Sequence, residues 1–464
     1  MLIRAAEVGG AHCDIRLGGG KITALAPAGA LARLSGEAAL DAHGGALLPG
    51  LHDHHIHLMA LTAAQHSTRC GPPEVRDFAG LADALARTST RGGWIRGVGY
   101  HDSVAGILDR SRLDSLRADV PIRIQHRSGA CWSLNSAGLA QLGPLPDGQA
   151  GVERSNSGEP TGRLFGLDDW LRGRLGPAPQ PDLGPVGATL ARFGVTGLTD
   201  ATATNGAAEL SLLEDATATG AIPQRLQMMG TLDLPIPTSR RVTRAALKVV
   251  LSENELPDPE FLAEQFHAAH AVDRGVAVHC TTRSELVLAC AAFAVAGSRA
   301  GDRIEHASVA PPDVTALLAE LGLTVVTQPN FIAERGDCYR REVAADDLPW
   351  LYRAAGLCAA GVELGGGTDA PFGNPDPWRA VEAAVRRLAP DREHLGADEA
   401  LTPERALALF TSPADAPGAP PRRVEPGADA DLVLLDRPWN SVRVELSSEL
   451  VRATWCDGSL AYRA

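Results

Sequence analysis

Residues 46–57 read ALLPGLHDHHIH, a short apolar run that leads into four histidines. Alternate side chains of a β-strand point the same way, so Asp53, His55 and His57 would share one face and the other two histidines the opposite face. Two imidazoles one residue apart on one face can hold a single metal ion. The motif alone is a weak signal, because such pairs also arise by chance. Its meaning depends on the residues that follow it in the chain.

The composition of the 464-residue chain argues against several classes of function. A net charge of −13 argues against a nucleic-acid binder, which needs a basic face. No window approaches about 18 uninterrupted apolar residues, so no membrane span is expected, and the N-terminus does not resemble a secretory signal. The eight cysteines are scattered and are expected to be reduced core residues. We expect a cytoplasmic protein that acts on a small molecule, as a monomer or as a homodimer.

The chain from about Val186 onward alternates between apolar strands and helical stretches. Together with the run at 47–57, seven later segments make eight strands, and eight alternating units favour an α/β fold with a closed parallel (β/α)8 TIM-type barrel. Helices are predicted at 259–273, 284–296, 311–321 and 348–360. The seven later strands are predicted at 194–201, 225–230, 246–252, 276–280, 303–307, 323–329 and 362–367.

The remaining segments predict two additions to the barrel at 49–411. Residues 1–48 and 412–464 each have short alternating segments, too few for a stable sheet alone, so we expect them to pair into one small β-sandwich domain. An insertion at about 65–185 separates the first barrel strand from the second. Insertions of this length usually have their own fold and often cover the active site.

Active sites of such barrels lie at the C-terminal ends of the strands. A lone histidine there is more often a hydrogen-bonded structural residue than a ligand, and a lone aspartate in such a turn reads as a cap. Several such residues at the matching ends of separate strands are hard to explain as independent accidents. They are His55 and His57 on strand one, Lys248 on strand four, His279 on strand five, His306 on strand six and Asp369 on strand eight.

Lys248 is one of only two lysines in the chain and lies within the apolar run AALKVVL. A charged lysine in such a strand has a large desolvation cost unless it is paired or modified. Its neutral amine can add CO₂ to form a carbamate, an anionic ligand able to bridge two metal ions. A guanidinium cannot do this, which suits a chain that otherwise uses arginine for positive charge.

The sequence resembles the amidohydrolase superfamily of metal-dependent hydrolases. The signature DxHxH runs from Asp53 to His57, and the later Lys, His, His and Asp follow in the family's order. Finer features resemble the branch that includes N-substituted formamide deformylase. They are the segments RSG at 127–129, NSA at 135–137, GEPTG at 158–162, GVT at 194–196, IEHA at 304–307, QP at 328–329, TDAP at 368–371, PG at 426–427 and ADLV at 430–433.

The resemblance implies a metal-dependent hydrolase that cleaves a non-peptide carbon–nitrogen bond through a metal-activated hydroxide. Asp369 would be the catalytic group that moves a proton from the water to the leaving nitrogen. Zinc is the expected ion, and a single-metal form is also consistent with the sequence. His52 and His54 are then expected to be structural or to support the ligand residues. One ion is expected at His55, His57, carbamylated Lys248 and Asp369, and a second at Lys248, His279 and His306.

Two departures from the branch bear on the substrate. The branch usually has a histidine at the position of Ala130 and an Asp-Gly pair near Ser252-Glu253, so the metal site looks intact while the substrate differs. Alternatives are a deaminase or cyclic-amide hydrolase on the same site, or a catalytically degenerate binding subunit. Candidates for the pocket, for which core packing is an equal alternative, are Trp94, Tyr100, His101, Trp132, Gln328 and Asn330.

Overall fold

The computed structural model describes residues 1–145, 148–176 and 180–464. The chain forms two compact units, one made of Met1–Leu58 with Leu183–Ala464, and the other of Met59–Asp182. Among the described helices, none combines the length and apolar character that a membrane crossing requires.

Eight parallel strands of the first unit form one sheet in which each strand is hydrogen-bonded to the next. Its ends meet where the Asp369 N–H donates to the His55 carbonyl (2.8 Å) and the His57 N–H to the Ala370 carbonyl (2.9 Å). The predicted α/β fold with a (β/α)8 barrel is confirmed. Barrel strands 1 to 8 are Leu51–Ile56, Val195–Asp200, Arg225–Gly230, Val242–Val250, Val276–Cys280, Arg303–His306, Thr324–Thr327 and Leu364–Gly366.

Helices of the first unit lie between these strands, as the apolar patterns predict, except that none is present in the described segment between strands 3 and 4. The predicted helix 348–360 is wrong in one respect, because Tyr352 has a left-handed backbone (φ 47°) that separates a 3₁₀ turn from a short helix. The α-helices are Gly184–Arg192, Ala207–Ala218, Pro259–Ala271, Arg283–Ala296, Pro312–Glu320, Asn330–Glu342, Ala354–Ala359, Pro377–Arg386, Pro403–Thr411 and Trp439–Val442. The 3₁₀ turns are Glu253–Glu255, Leu348–Trp350, Ala397–Glu399 and Ser448–Leu450.

Both chain termini build a β-sandwich of two four-stranded sheets. Apolar side chains from the two termini, such as Ile15 and Trp455, share one buried core, so neither terminus has a core of its own. The predicted run 47–57 is in fact two strands, because Leu47–Pro49 pairs in the sandwich and the barrel strand begins at Leu51. In hydrogen-bonded order the sheets are Lys21–Pro27, Ala11–Gly18, Leu2–Val8 and Ala39–Asp41, and Ser459–Arg463, Val451–Cys456, Leu432–Leu435 and Leu47–Pro49.

The second unit, Met59–Asp182, has a six-stranded sheet and its own apolar cores. Trp94, Tyr100 and Trp132 lie in these cores. The strands, in order across the sheet, are Val152–Arg154, Pro160–Phe165, Cys131–Leu134, Ile122–His126, Ile95–Tyr100 and Thr68–Arg69. The helices are Leu58–Gln65, which begins at the unit boundary, Phe78–Arg87, Asp102–Ala105, Arg110–Leu116, Ser136–Leu142 and Asp168–Leu175.

Candidate metal centre

Asp369 meets the two histidines of barrel strand 1 at the C-terminal end of the barrel. Its Oδ1 atom lies 3.1 Å from His57 Nε2 and 3.5 Å from His55 Nε2. The chain can place the carboxylate there because Asp369 adopts a left-handed backbone (φ 54°) just after strand 8. Residues that are more than three hundred positions apart in the chain thus form one cluster where barrel strands 1 and 8 meet.

His306 and His279 extend this cluster from strands 6 and 5. The His306 ring centroid lies 4.8 Å from that of His55 and 4.5 Å from that of His279. One ligand atom from each of His55, His306 and Asp369 lies within 4.8 Å of the other two. In the ligand sets that the resemblance implies, His55 and Asp369 belong to the first ion and His306 to the second. The two sets therefore form one continuous group.

Three of these imidazoles have their Nδ1 atoms engaged by neighbouring side chains. An Nδ1–H that donates to an oxygen leaves Nε2 unprotonated and free to bind a metal ion. Burial lowers the pKa of His55 to about 3, with the charge of Lys248 as the next cause, so the ring is neutral as a ligand must be. The Nδ1 partners are Glu305 for His55, Thr202 Oγ1 for His57 (3.0 Å) and Gln328 Oε1 for His306 (2.6 Å).

Lys248 is buried on strand 4 beside this group. Its Nζ atom has no hydrogen-bond partner among the described residues, an unusual state for a buried amine. Burial is the main cause that lowers the pKa of Lys248 to about 8, so a larger fraction of this amine is neutral near neutral pH than of an exposed lysine. The neutral amine is the form that can add CO₂. An unpartnered amine among four imidazoles and a carboxylate is a donor set that fits a divalent cation.

His52 and His54 lie on the opposite face of strand 1, away from the cluster. His52 Nε2 contacts Thr199 Oγ1 at 2.8 Å, and His54 Nε2 contacts Ser412 Oγ at 3.0 Å. These hydrogen bonds give both rings a structural role. The strand geometry therefore shows which histidines of the run face the cluster, namely His55 and His57.

Residues 38–462 match the family described as the amidohydrolase family. The chain belongs to the amidohydrolase family. N-substituted formamide deformylase of Arthrobacter pascens is 26% identical, with 91% of this chain and 89% of that protein covered. An uncharacterized metal-dependent hydrolase of Pyrococcus horikoshii has a similar fold (TM-score 0.74, 20% identity, 94% and 97% covered). So does N-isopropylammelide isopropylaminohydrolase of Burkholderia multivorans (TM-score 0.54, 19% identity, 100% and 98% covered).

Family membership makes the chain an enzyme, a hydrolase of carbon–nitrogen bonds other than peptide bonds. The predicted resemblance to the amidohydrolases is confirmed. The fold similarity at about one-fifth identity establishes the architecture and does not identify the substrate.

Glu305 is a functional candidate of this amidohydrolase that the sequence analysis did not select. Its side chain is fully buried, one carboxylate oxygen contacts His55 Nδ1, and the other accepts from Arg303 Nε at 2.5 Å. Burial favours the neutral acid, but Arg303, Lys248 and His55 outweigh it and hold the pKa of Glu305 well below its ordinary value. The ionised carboxylate therefore orients the His55 ring. Two oppositely charged residues at alternate positions of a predicted barrel strand were the available signal.

Asp53 is a second buried carboxylate that sequence reasoning left without a role. It accepts hydrogen bonds from the Thr368 N–H (3.0 Å) and the Thr368 hydroxyl (2.5 Å). Thr368 immediately precedes Asp369, so Asp53 fixes the turn that presents the Asp369 carboxylate. Asp53, the first residue of the DxHxH signature, thus supports the site by holding the turn that follows strand 8.

Replacing Glu305 by glutamine should weaken metal binding about 10- to 100-fold, the usual effect of losing the partner that orients a metal-binding histidine. The amide keeps the size of the side chain but removes the charge that holds the Nδ1–H of His55. Competition against a chromogenic chelator measures the affinity, and thermal unfolding reports the fold. The control is Glu363→Gln, which changes an exposed glutamate before strand 8. If the Glu305→Gln variant bound metal with wild-type affinity, Glu305 would not be the residue that orients His55.

Proposed function

We propose that this amidohydrolase cleaves a non-peptide amide of a small molecule into an acid and an amine. The observation that supports the proposal most strongly is the convergence of His55, His306 and Asp369 next to the unpartnered amine of Lys248. Imidazole and carboxylate donors suit zinc, which we take as the expected ion. The proposed ligands are His55, His57, carbamylated Lys248 and Asp369 for one ion, and Lys248, His279 and His306 where a second is bound.

A divalent ion held there would lower the pKa of a bound water and polarise the amide carbonyl. The chain itself supplies the proton transfer through Asp369. Burial would raise the pKa of Asp369, but the neighbouring side chains of His57, His55 and His306 lower it well below its ordinary value. The carboxylate is thus ionised and able to accept the proton of the attacking water. It then donates that proton to the leaving nitrogen.

N-formyl and N-acyl amides are the substrate class that we propose to test first. The relative from Arthrobacter pascens is by name a deformylase of N-substituted formamides. The departure at Glu253 supports a different substrate within that class. Its N–H donates to the buried Glu285 (3.0 Å) and its carboxylate accepts from Ser284 Oγ (3.0 Å), so the loop after strand 4 is tied to the helix after strand 5.

Metal quantitation on the purified enzyme, combined with a screen of N-formyl, N-acyl and cyclic amides, tests the proposal. We expect one or two divalent ions per chain and release of an acid together with an amine. Release of ammonia would instead identify a deaminase, and a single ring-opened product a cyclic-amide hydrolase. A chain without bound metal and without turnover would identify a degenerate binding subunit.

None of the eight cysteines, all of them in the described ranges, forms a disulfide bond, and seven of them are buried. Free buried thiols fit a reducing compartment, so we propose that the enzyme acts in the cytoplasm. Light scattering on the purified enzyme distinguishes a monomer from a homodimer, the two states that the sequence leaves open.

A further inference from the structure

Arg335 lies at the edge of the metal centre, on the helix Asn330–Glu342 that follows strand 7. Its Nη2 group donates to the carbonyl of Phe372, whose own N–H donates to the Asp369 carbonyl at 2.8 Å. The Phe372 ring packs edge-on against His57, with the ring centroids 5.5 Å apart. The guanidinium is therefore attached to the turn that presents Asp369.

Aromatic side chains fix the plane of this guanidinium. Its central carbon lies 4.1 Å from the centroid of the Phe331 ring, and Phe331 packs edge-on against Tyr352 with centroids 6.0 Å apart. The Tyr352 hydroxyl accepts from Ser308 Oγ at 3.1 Å, and Ser308 lies two residues after His306. The cation thus stands between the loops that follow strands 6 and 8. A stacked guanidinium is held ready for a planar ligand.

Most donors of the Arg335 guanidinium have no partner among the described residues. In the ranges that the structure describes, Arg335 forms no direct ion pair, and Nη2 is its only side-chain nitrogen with a hydrogen-bond partner. More deeply buried arginines have their donors satisfied by carboxylates or by carbonyls. Arg303 pairs with Glu305, and Arg387 donates to the carbonyls of Leu351, Tyr352 and Leu395.

The side chain is half-buried, and none of its nitrogens is among the buried atoms that lack a partner, so its remaining donors are accessible to a ligand. Burial opposes the charge, but Tyr339, Glu334, Tyr352 and Asp369 more than offset it and raise the pKa of Arg335. The group is therefore a permanent cation beside the reacting centre.

We propose that Arg335 is the receptor for a carboxylate of the substrate, with the phenols of Tyr339 and Tyr352 beside it, so that this enzyme acts on an acidic amide such as an N-acyl amino acid. A guanidinium fork matches a carboxylate in two parallel hydrogen bonds, which neutral amides cannot form. The inference rests on the proposed amide hydrolysis and specifies its substrate class.

Matched pairs of an N-formyl amino acid and its methyl ester test the subsite. The wild-type enzyme should prefer the acid in kcat/KM, and Arg335→Met should raise KM for the acid about 10- to 100-fold, as expected for the loss of a charged hydrogen-bonded contact. The ester should change by less than about threefold, and Arg335→Lys should recover part of the preference. Arg341→Met, an exposed arginine on the same helix, is the matched control.

Calorimetric binding of the N-formyl amino acid separates failure of the subsite from failure of the proposed hydrolysis. Binding of the acid, but not of the ester, to wild type and its loss in Arg335→Met support the carboxylate receptor even if no amide is cleaved. Equal affinity of the wild type for the acid and the ester would overturn the proposed carboxylate receptor, whether or not amides are hydrolysed. An equal loss of affinity for both ligands in Arg335→Met would do the same.

Discussion

Lys248→Ala is expected to lose its bound divalent metal and to reduce hydrolysis on the order of a thousandfold, which corresponds to about 4 kcal/mol of transition-state stabilisation. The amine is buried without a hydrogen-bond partner among the described residues and lies beside a cluster of imidazoles and a carboxylate. Alanine removes the only side chain on strand 4 that we propose as a ligand. Metal content per chain and turnover of the best amide measure the two losses.

The chain offers a matched control for this variant, because it has only two lysines. Lys21 is half exposed and pairs with Asp429 at 2.7 Å. With ¹³C-labelled bicarbonate, the wild type and Lys21→Ala should each show one carbamate signal by NMR, and Lys248→Ala should show none. Lys248→Arg should also fail, because a guanidinium cannot form the carbamate. Full metal content and full activity in Lys248→Ala would refute the carbamate ligand.

The barrel and the approximate position of the site were predictable from the sequence because both follow from local patterns and general topological rules. Strand 5 reads VAVHC, an apolar run with a histidine next to its last residue, and parallel strands place such ends on one rim of the barrel. The same rule brings His55 next to Asp369, although the two residues are far apart in the chain. The unusual position of Lys248 also needed only the sequence, since a lone lysine in an apolar run is visible there.

The contacts that orient the site were not predictable in the same way, because they depend on which side chains meet in space. Glu305 reaches His55 only after strands 1 and 6 have taken their places in the barrel. The left-handed backbones of His306 (φ 70°) and Asp369 (φ 54°) are likewise set by the turns after their strands. The helix that has Arg335 was not predicted, because its sequence NFIAERGDCYRRE has few apolar residues and little helical periodicity.

Asp369→Asn is expected to lower kcat by about 10²- to 10⁴-fold, the range lost when a positioned acid–base group is removed. The amide keeps the size of the carboxylate and an oxygen that can face His57, so most of the metal should remain bound. It cannot accept the proton of the attacking water, which the ionised carboxylate is able to do. The effect should therefore appear in kcat, with a small change in KM.

Metal content and steady-state kinetics, measured on one preparation, check this separation of binding from proton transfer. Asp313→Asn is the control, since Asp313 is an exposed carboxylate in the first turn of the helix that follows strand 6. A variant with full metal content and a kcat within about threefold of the wild type would exclude Asp369 as the proton carrier. A variant that loses its metal would show that Asp369 acts mainly as a ligand, and Lys248 and the histidines would then have to be tested for the proton transfer.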